Sequence, residues 1–211
     1  MSSVDNLFRC LLQENPVCYQ GRKVDCRCLV MMTSAKKGIP RLYMYNRVYF
    51  RIAGRPHSVL RPSDLVDHQS VLTAMHLVNQ DEKEMDRNIL PIDVKTISQL
   101  ECEYGAQGFK WESLILPKLK AMIRELLTGM TQAYPAMGKR DQYRALYGVD
   151  AMFSVESGCV EPKLTEVSFC PANNAMCDAY ERDDADYRNY TTDVFNCLFL
   201  GELSNRITRI Q

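Results

Sequence analysis

The chain has 211 residues, 46% hydrophobic and 25% charged, with 26 Lys plus Arg balanced by 26 Asp plus Glu. This is the profile of one large domain or two small lobes with a substantial core, and it excludes a disordered chain. The balanced charge gives no general drive toward nucleic acid or an anionic membrane, and no window approaches the roughly 18 continuous apolar residues of a membrane span.

Asn15–Pro16 and Gln20–Gly21 read as turns. Val24, Cys26, Cys28, Val30 and Met32 then alternate with Asp25, Arg27 and Leu29. This predicts a strand with one apolar face, whose other face carries a carboxylate two residues from a guanidinium. Asp25 and Arg27 are open to two readings, a structural ion pair or a functional one. Residues 33–40 form a polar connection, and residues 41–53 are rich in aromatic and β-branched side chains. The latter read as one or two strands broken near Asn46, and with the first strand they suggest a meander.

Residues 54–110 are less regular, with turn signals at 54–56 and 61–63 and a charge run at 79–88. They read as an insertion-like region in which short helices are possible. From Trp111 the period becomes helical. Leu114, Leu119, Met122, Ile123, Leu126, Leu127 and Met130 recur at three and four residues, with Lys118, Lys120, Arg124 and Glu125 between them. Pro117 falls near the helix start, where a missing N–H is tolerated. Residues 145–153 predict a strand, Gly158 a hairpin turn and residues 162–169 the return strand, closed by a loop at 170–174. Residues 191–203 predict a short helix capped by Thr191 or Thr192, with Val194, Phe195, Leu198 and Phe199 as its apolar face.

The nine cysteines are Cys10, Cys18, Cys26, Cys28, Cys102, Cys159, Cys170, Cys177 and Cys197. No paired CxxC sets occur, so a zinc site is poorly supported. With no apolar signal segment ahead of the domain, a reducing cytoplasmic location is expected. His57, His68 and His76 lie in the irregular region without an anchored Cys partner, which argues against cysteine protease chemistry. The Tyr and Phe stripe at 43–50 reads as core rather than as a base-stacking platform.

Asp150 and Glu166 fall on the two strands of the predicted hairpin. Carboxylates at neighbouring strand positions repel unless a cation bridges them or basic side chains lie nearby, and Lys23 and Arg27 are the candidates for that role. Acidic residues on hairpins are more often surface decoration, so spacing alone makes this a weak signal for metal.

The local sequence carries more. Residues 14–32, ENPVCYQGRKVDCRCLVMM, resemble the Pro turn, Gly-Arg-Lys and Asp-x-Arg strand of the tubulin–tyrosine ligase-like family. YGVDAMF at 147–153 and EPKLTEVSFCPAN at 161–173 resemble that family's closing hairpin, which normally ends Leu-Glu-Val-Asn before a Pro. The resemblance covers nearly the whole chain and is least secure at 54–110. It implies an α+β, ATP-grasp fold: a mostly antiparallel sheet with packed helices, here as a partial domain over 1–211 that lacks the upstream nucleotide lid. It also implies ATP and Mg²⁺ as cofactors, both open to loss, and tubulin or microtubules as partner. Arg27 would be the catalytic group facing the phosphates or an acyl phosphate, Lys23 a second cofactor-binding cation, and Glu166, Asp150 and Ser168 the metal positions.

The departures from the family pattern weaken that site. Ser168 stands where the family has a metal-binding Asn, Ser154 where it commonly has an acid, and Leu11 at about the place of a Lys before the Pro turn. A hydroxyl is a poorer Mg²⁺ ligand than an amide oxygen or a carboxylate. Three functions follow: a ligase-like protein with weak nucleotide binding and little catalysis, a noncatalytic partner-binding scaffold, or an active ligase joining an amino acid to a tubulin tail. The last needs a basic surface for acidic tails, for which Arg22, Lys23, Lys36, Lys37, Arg41, Arg47 and Arg51 are candidates. An incomplete sheet would expose a strand edge for a protein partner to cover. Neither nucleic acid nor membrane is expected as a partner.

Overall fold

Strand alternation and helical periodicity both become real elements in the computed structural model, which describes residues 15–34, 39–57, 73, 89–91, 94–134, 143–169, 171 and 190–211. The chain forms two compact units. Unit 1 is built from Met1–Cys26, Tyr49–Leu116 and Ala151–Thr165, and unit 2 from Arg27–Val48, Pro117–Asp150 and Glu166–Gln211.

In unit 1, β1 (Cys18–Tyr19) turns through Gln20 and Gly21 into β2 (Arg22–Thr33). Both turn residues have positive φ, 51° and 73°, the geometry of a two-residue hairpin turn. The register sets Cys18 opposite Lys23 and Tyr19 opposite Arg22. β4 (Tyr49–Ile52) pairs antiparallel with β5 (Ile89–Pro91), Phe50 opposite Leu90. Just beyond β4, the Ala53 N–H donates to the Lys23 carbonyl on β2 at 2.9 Å. An eleven-residue helix, α1 (Val94–Tyr104), occupies the region that periodicity left irregular. It runs into a 3₁₀ turn (Gly105–Gln107), which Gly108 ends at φ 83°. The unit's core centres on buried Phe50, Phe109, Trp111 and Phe153. Phe50 meets Trp111 edge-on at 5.5 Å and Phe153 at 6.2 Å, and Phe109 meets Phe153 at 5.9 Å.

In unit 2, the later half of β2 pairs antiparallel with β3 (Arg41–Tyr45), from Val30↔Met44 to Thr33↔Arg41. β3 pairs in turn with β8 (Ile207–Arg209). The expected meander is therefore replaced: β3 and β4 join different stretches of β2 and are not consecutive partners. The residues between them break the strand at Asn46, which is exposed and donates its Nδ2 to the Asn205 carbonyl. β2 is also buried on both faces, not one. Its charged residues at 23 and 25 are as buried as their apolar neighbours.

α2 (Leu116–Ala133) follows a π-helical turn (Trp111–Ile115). Its buried stripe is Leu119, Ile123, Leu127 and Thr131, one face at four-residue spacing. Leu114, expected on that stripe, is 44% exposed. The wider turn explains this, because the Ile115 N–H donates five residues back to the Lys110 carbonyl and shifts the phase before α2 begins.

β6 (Arg144–Glu156) and β7 (Cys159–Phe169) form the expected hairpin, each a few residues longer than its periodic core. Ser157 and Gly158 make its turn, with φ 49° and 80°. β6 also pairs with β2. α3 (Tyr190–Phe195) continues into a π-helical turn (Asn196–Leu200) ended by Gly201. Its predicted apolar face is corrected. Leu198 is buried as expected, but Phe195 and Phe199 are 52% and 59% exposed, and Tyr190, Asp193 and Cys197 are buried instead. Asp193 turns inward because Arg206 binds both its oxygens and the Tyr45 hydroxyl donates to it at 3.3 Å. Thr191 and Thr192 lie inside the helix rather than at its cap.

Candidate functional site

Three charged residues alternate along β2 at positions 23, 25 and 27, all on one side of the pleat. Asp25 and Arg27 do not serve as each other's partner in the described contacts, and each is tied to a different strand. In unit 2, Arg27 reaches Asp150 on β6 in a two-pronged contact, Nε to Oδ1 at 2.6 Å and Nη2 to Oδ2 at 2.7 Å. The Asp150 side chain is 2% exposed and that of Arg27 13%. A planar fork on a carboxylate is the strongest geometry available to this pair, and burial makes loss of either partner costly.

In unit 1, Asp25 accepts from Arg51 Nε at 2.8 Å, from Arg51 Nη2, and from Thr73 Oγ1 at 2.7 Å. All three residues are buried. Arg51, a candidate for the basic face by sequence, is therefore interior. Its neighbours Phe50 and Ile52 are fully buried, so a charged residue between them on a strand buried on both faces requires an internal counter-charge. Lys23 is buried as well, at 1% exposure. Of the seven residues proposed for a basic face, Lys23 and Arg51 are thus interior, and Lys36 and Lys37 lie outside the described residues.

Around Lys23, unit 1 gathers further titratable groups. Burial pushes the Cys18 thiol up to about 11, although the Lys23 charge pulls the other way. The Tyr104 hydroxyl accepts the Cys18 N–H at 3.0 Å, and burial raises its pKa. Burial, and then the Lys23 charge, lower that of His57. Periodicity did not single out Tyr104 or Thr73, since neither stands in a recognisable motif. His57, which falls in the irregular region of the sequence, has its Nδ1 buried without a hydrogen-bond partner. His68 and His76 lie outside the described residues.

The metal positions are arranged differently from a magnesium cage. Glu166 is exposed on β7, and its Oε1 accepts the Ser168 hydroxyl at 2.6 Å. In unit 1, Ser154 is buried and donates to Glu156 Oε1 at 3.3 Å, while Glu156 Oε2 takes Lys163 Nζ at 2.8 Å. Each oxygen of Asp150 accepts a hydrogen bond from Arg27. Among the described residues no group of three His, Cys, Asp or Glu side chains is placed to hold a metal ion. Mg²⁺ demands near-ideal octahedral oxygen ligation, and this donor set fits it poorly.

The profile of the Tubulin-tyrosine ligase family matches residues 12–205. The chain belongs to that family. No curated protein matched the chain. The match spans both compact units and includes β2, the β6–β7 hairpin and α3, and the mixed fold of antiparallel sheet and helices is consistent with the family's ATP-grasp architecture. The charged residues expected at the Tubulin-tyrosine ligase family's site lie on β2 and the hairpin. There Asp25 is paired with Arg51, and Arg27 with Asp150.

Proposed function

We propose that this chain is a tubulin-tyrosine ligase family protein with a degraded ATP and Mg²⁺ site, acting in or regulating tubulin modification in the cytoplasm with little or no catalysis of its own. The observation that carries the reading is the two-pronged hold of Arg27 on Asp150. The serines at 154 and 168 add to it, since each hydroxyl donates to a glutamate of its own strand. A hydroxyl is neutral, and it is a poorer Mg²⁺ ligand than a carboxylate or an amide oxygen. Within the family, the finer texture of residues 41–53 and 193–200 resembles tubulin–tyrosine ligase-like protein 12. Tubulin as the partner rests on the family's chemistry.

Isothermal titration of the folded chain with ATP, with and without Mg²⁺, tests the proposal, alongside Arg27→Ala and Glu166→Ala. Absent or metal-independent binding supports a degraded site. ATP binding that requires Mg²⁺ and disappears in both variants would overturn it and call for a ligase assay on tubulin. Co-sedimentation with microtubules tests the partner separately.

A further inference from the structure

Gly148 lies on β6 two residues before Asp150, and so on the same side of the pleat. A Cβ built there would stand 2.8 Å from Pro171 Cβ and 3.3 Å from its Cγ, and 3.4 Å from Arg27 Nε. Real Cβ contacts do not reach the first of these distances. Pro171 Cβ is fixed in a ring bonded to its own backbone and has no rotamer by which to withdraw. Gly148 is not in the left-handed region, so conformation does not demand glycine here. Space does: the bare Cα is shared by a buried proline just past β7 on one side and by the Arg27 guanidinium on the other. The same Nε that lies over Gly148 makes the 2.6 Å bond to Asp150 Oδ1.

We propose that Gly148 is a positioning residue: its missing side chain lets Pro171 and the Arg27 guanidinium pack against one strand position, and this sets the direction in which Arg27 grips Asp150. The bearing of this on nucleotide binding rests on the reading of Arg27 as the phosphate-facing cation. The geometric claim stands apart from it. In a Gly148→Ala protein the new methyl is caught between proline and guanidinium, and the softer of the two, the arginine side chain, gives way.

The test follows the Arg27 Nε–Hε resonance by NMR in the full chain, assigned with Arg27→Lys, in wild type, Gly148→Ala, Pro171→Gly and the double variant. Wild type should show a hydrogen-bonded Hε protected from exchange with water. Gly148→Ala should move the resonance and speed its exchange about tenfold or more, as expected when a charge-assisted bond is loosened. The double variant, in which the obstructing ring is gone, should recover position and protection. Pro171→Gly alone should leave them near wild type. An unshifted, still protected resonance in Gly148→Ala would overturn the proposal. So would a double variant no better than the single, and that comparison decides the matter even where Gly148→Ala alone fails to fold. ATP titration of the same proteins is a second arm. Failure of wild type to bind ATP bears on the nucleotide reading alone, whereas the resonance reports Arg27 in either case.

Discussion

Removal of the Arg51 guanidinium is the sharpest test of the unit 1 interior. Asp25 is 2% exposed and Arg51 8%, and the carboxylate takes two bonds from Arg51 and one from Thr73. Arg51→Met keeps most of the side-chain volume and leaves Asp25 buried with the Thr73 hydroxyl. Breaking a buried pair from one side costs about 3–5 kcal/mol, against about 0–1 kcal/mol for an exposed pair. With a urea slope of about 2 kcal/mol per molar, the unfolding midpoint should fall by about 1.5–2.5 M. The single tryptophan, Trp111, is a suitable reporter, since it is buried in the same unit and packs 5.5 Å from Phe50, the neighbour of Arg51. The Arg51→Met/Asp25→Leu double variant should regain most of the loss, because replacing both charges by apolar groups removes the stranded carboxylate. A single-variant cost below about 1 kcal/mol, or a double variant no more stable than the single, would refute the description of this pair as an internal staple.

Three further outcomes are expected. Burial alone would raise the Asp193 carboxyl, but the hydrogen bonds and charge of Arg206, with Ser204 and Tyr45, hold it below the usual range. Its stabilisation is therefore full above the unfolded value of 3.8 and is lost as pH falls through the folded value, so Arg206→Ala should flatten the acid limb of a stability–pH curve measured by circular dichroism. His57 is held below 6.5 by burial and by Lys23, so the unfolded chain takes up its proton first and stability declines as pH falls below 6.5; in His57→Phe that part of the decline should be absent from urea midpoints taken between pH 7.5 and pH 5.5. Cys18, raised to about 11, is almost wholly protonated at pH 8, and mass spectrometry should find its alkylation by iodoacetamide slower than that of the exposed Cys102 and Cys159.

Elements with a strong local period were legible in the sequence: the β2 alternation, the α2 repeat and the β6–β7 hairpin around Gly158 all appear within a few residues of expectation. What escaped was set by partners distant in the chain. Nothing near Arg51 announces Asp25, 26 positions away, and nothing near Asp193 announces Tyr45, 148 positions away. A charged residue inside an aromatic strand gave only the weak signal that it must be either exposed or matched. The α3 face was misassigned for the same reason. A helical wheel ranks Phe195 and Phe199 inward on hydrophobicity, but the ion pair from Arg206 fixes the opposite face in the interior. At the candidate site, the sequence brought Arg27 and Asp150 under suspicion as neighbours, whereas their fork geometry and the Gly148–Pro171 contact required coordinates.

The charge pattern on β2 has a structural role of its own. Asp25 and Arg27 sit two residues apart, close enough to neutralise one another, yet Asp25 is spent on Arg51 of β4 and Arg27 on Asp150 of β6. Each charge therefore joins β2 to a different strand, and replacing either leaves a buried ion without its described partner. Burial and pairing thus give both residues a part in stability that needs no bound cation. Ser154 and Ser168 have the opposite logic. An acid at 154 would add a second negative charge beside Glu156, which is tolerated when a cation is bound and costly when none is. A serine instead donates to that glutamate and relieves the repulsion without any metal.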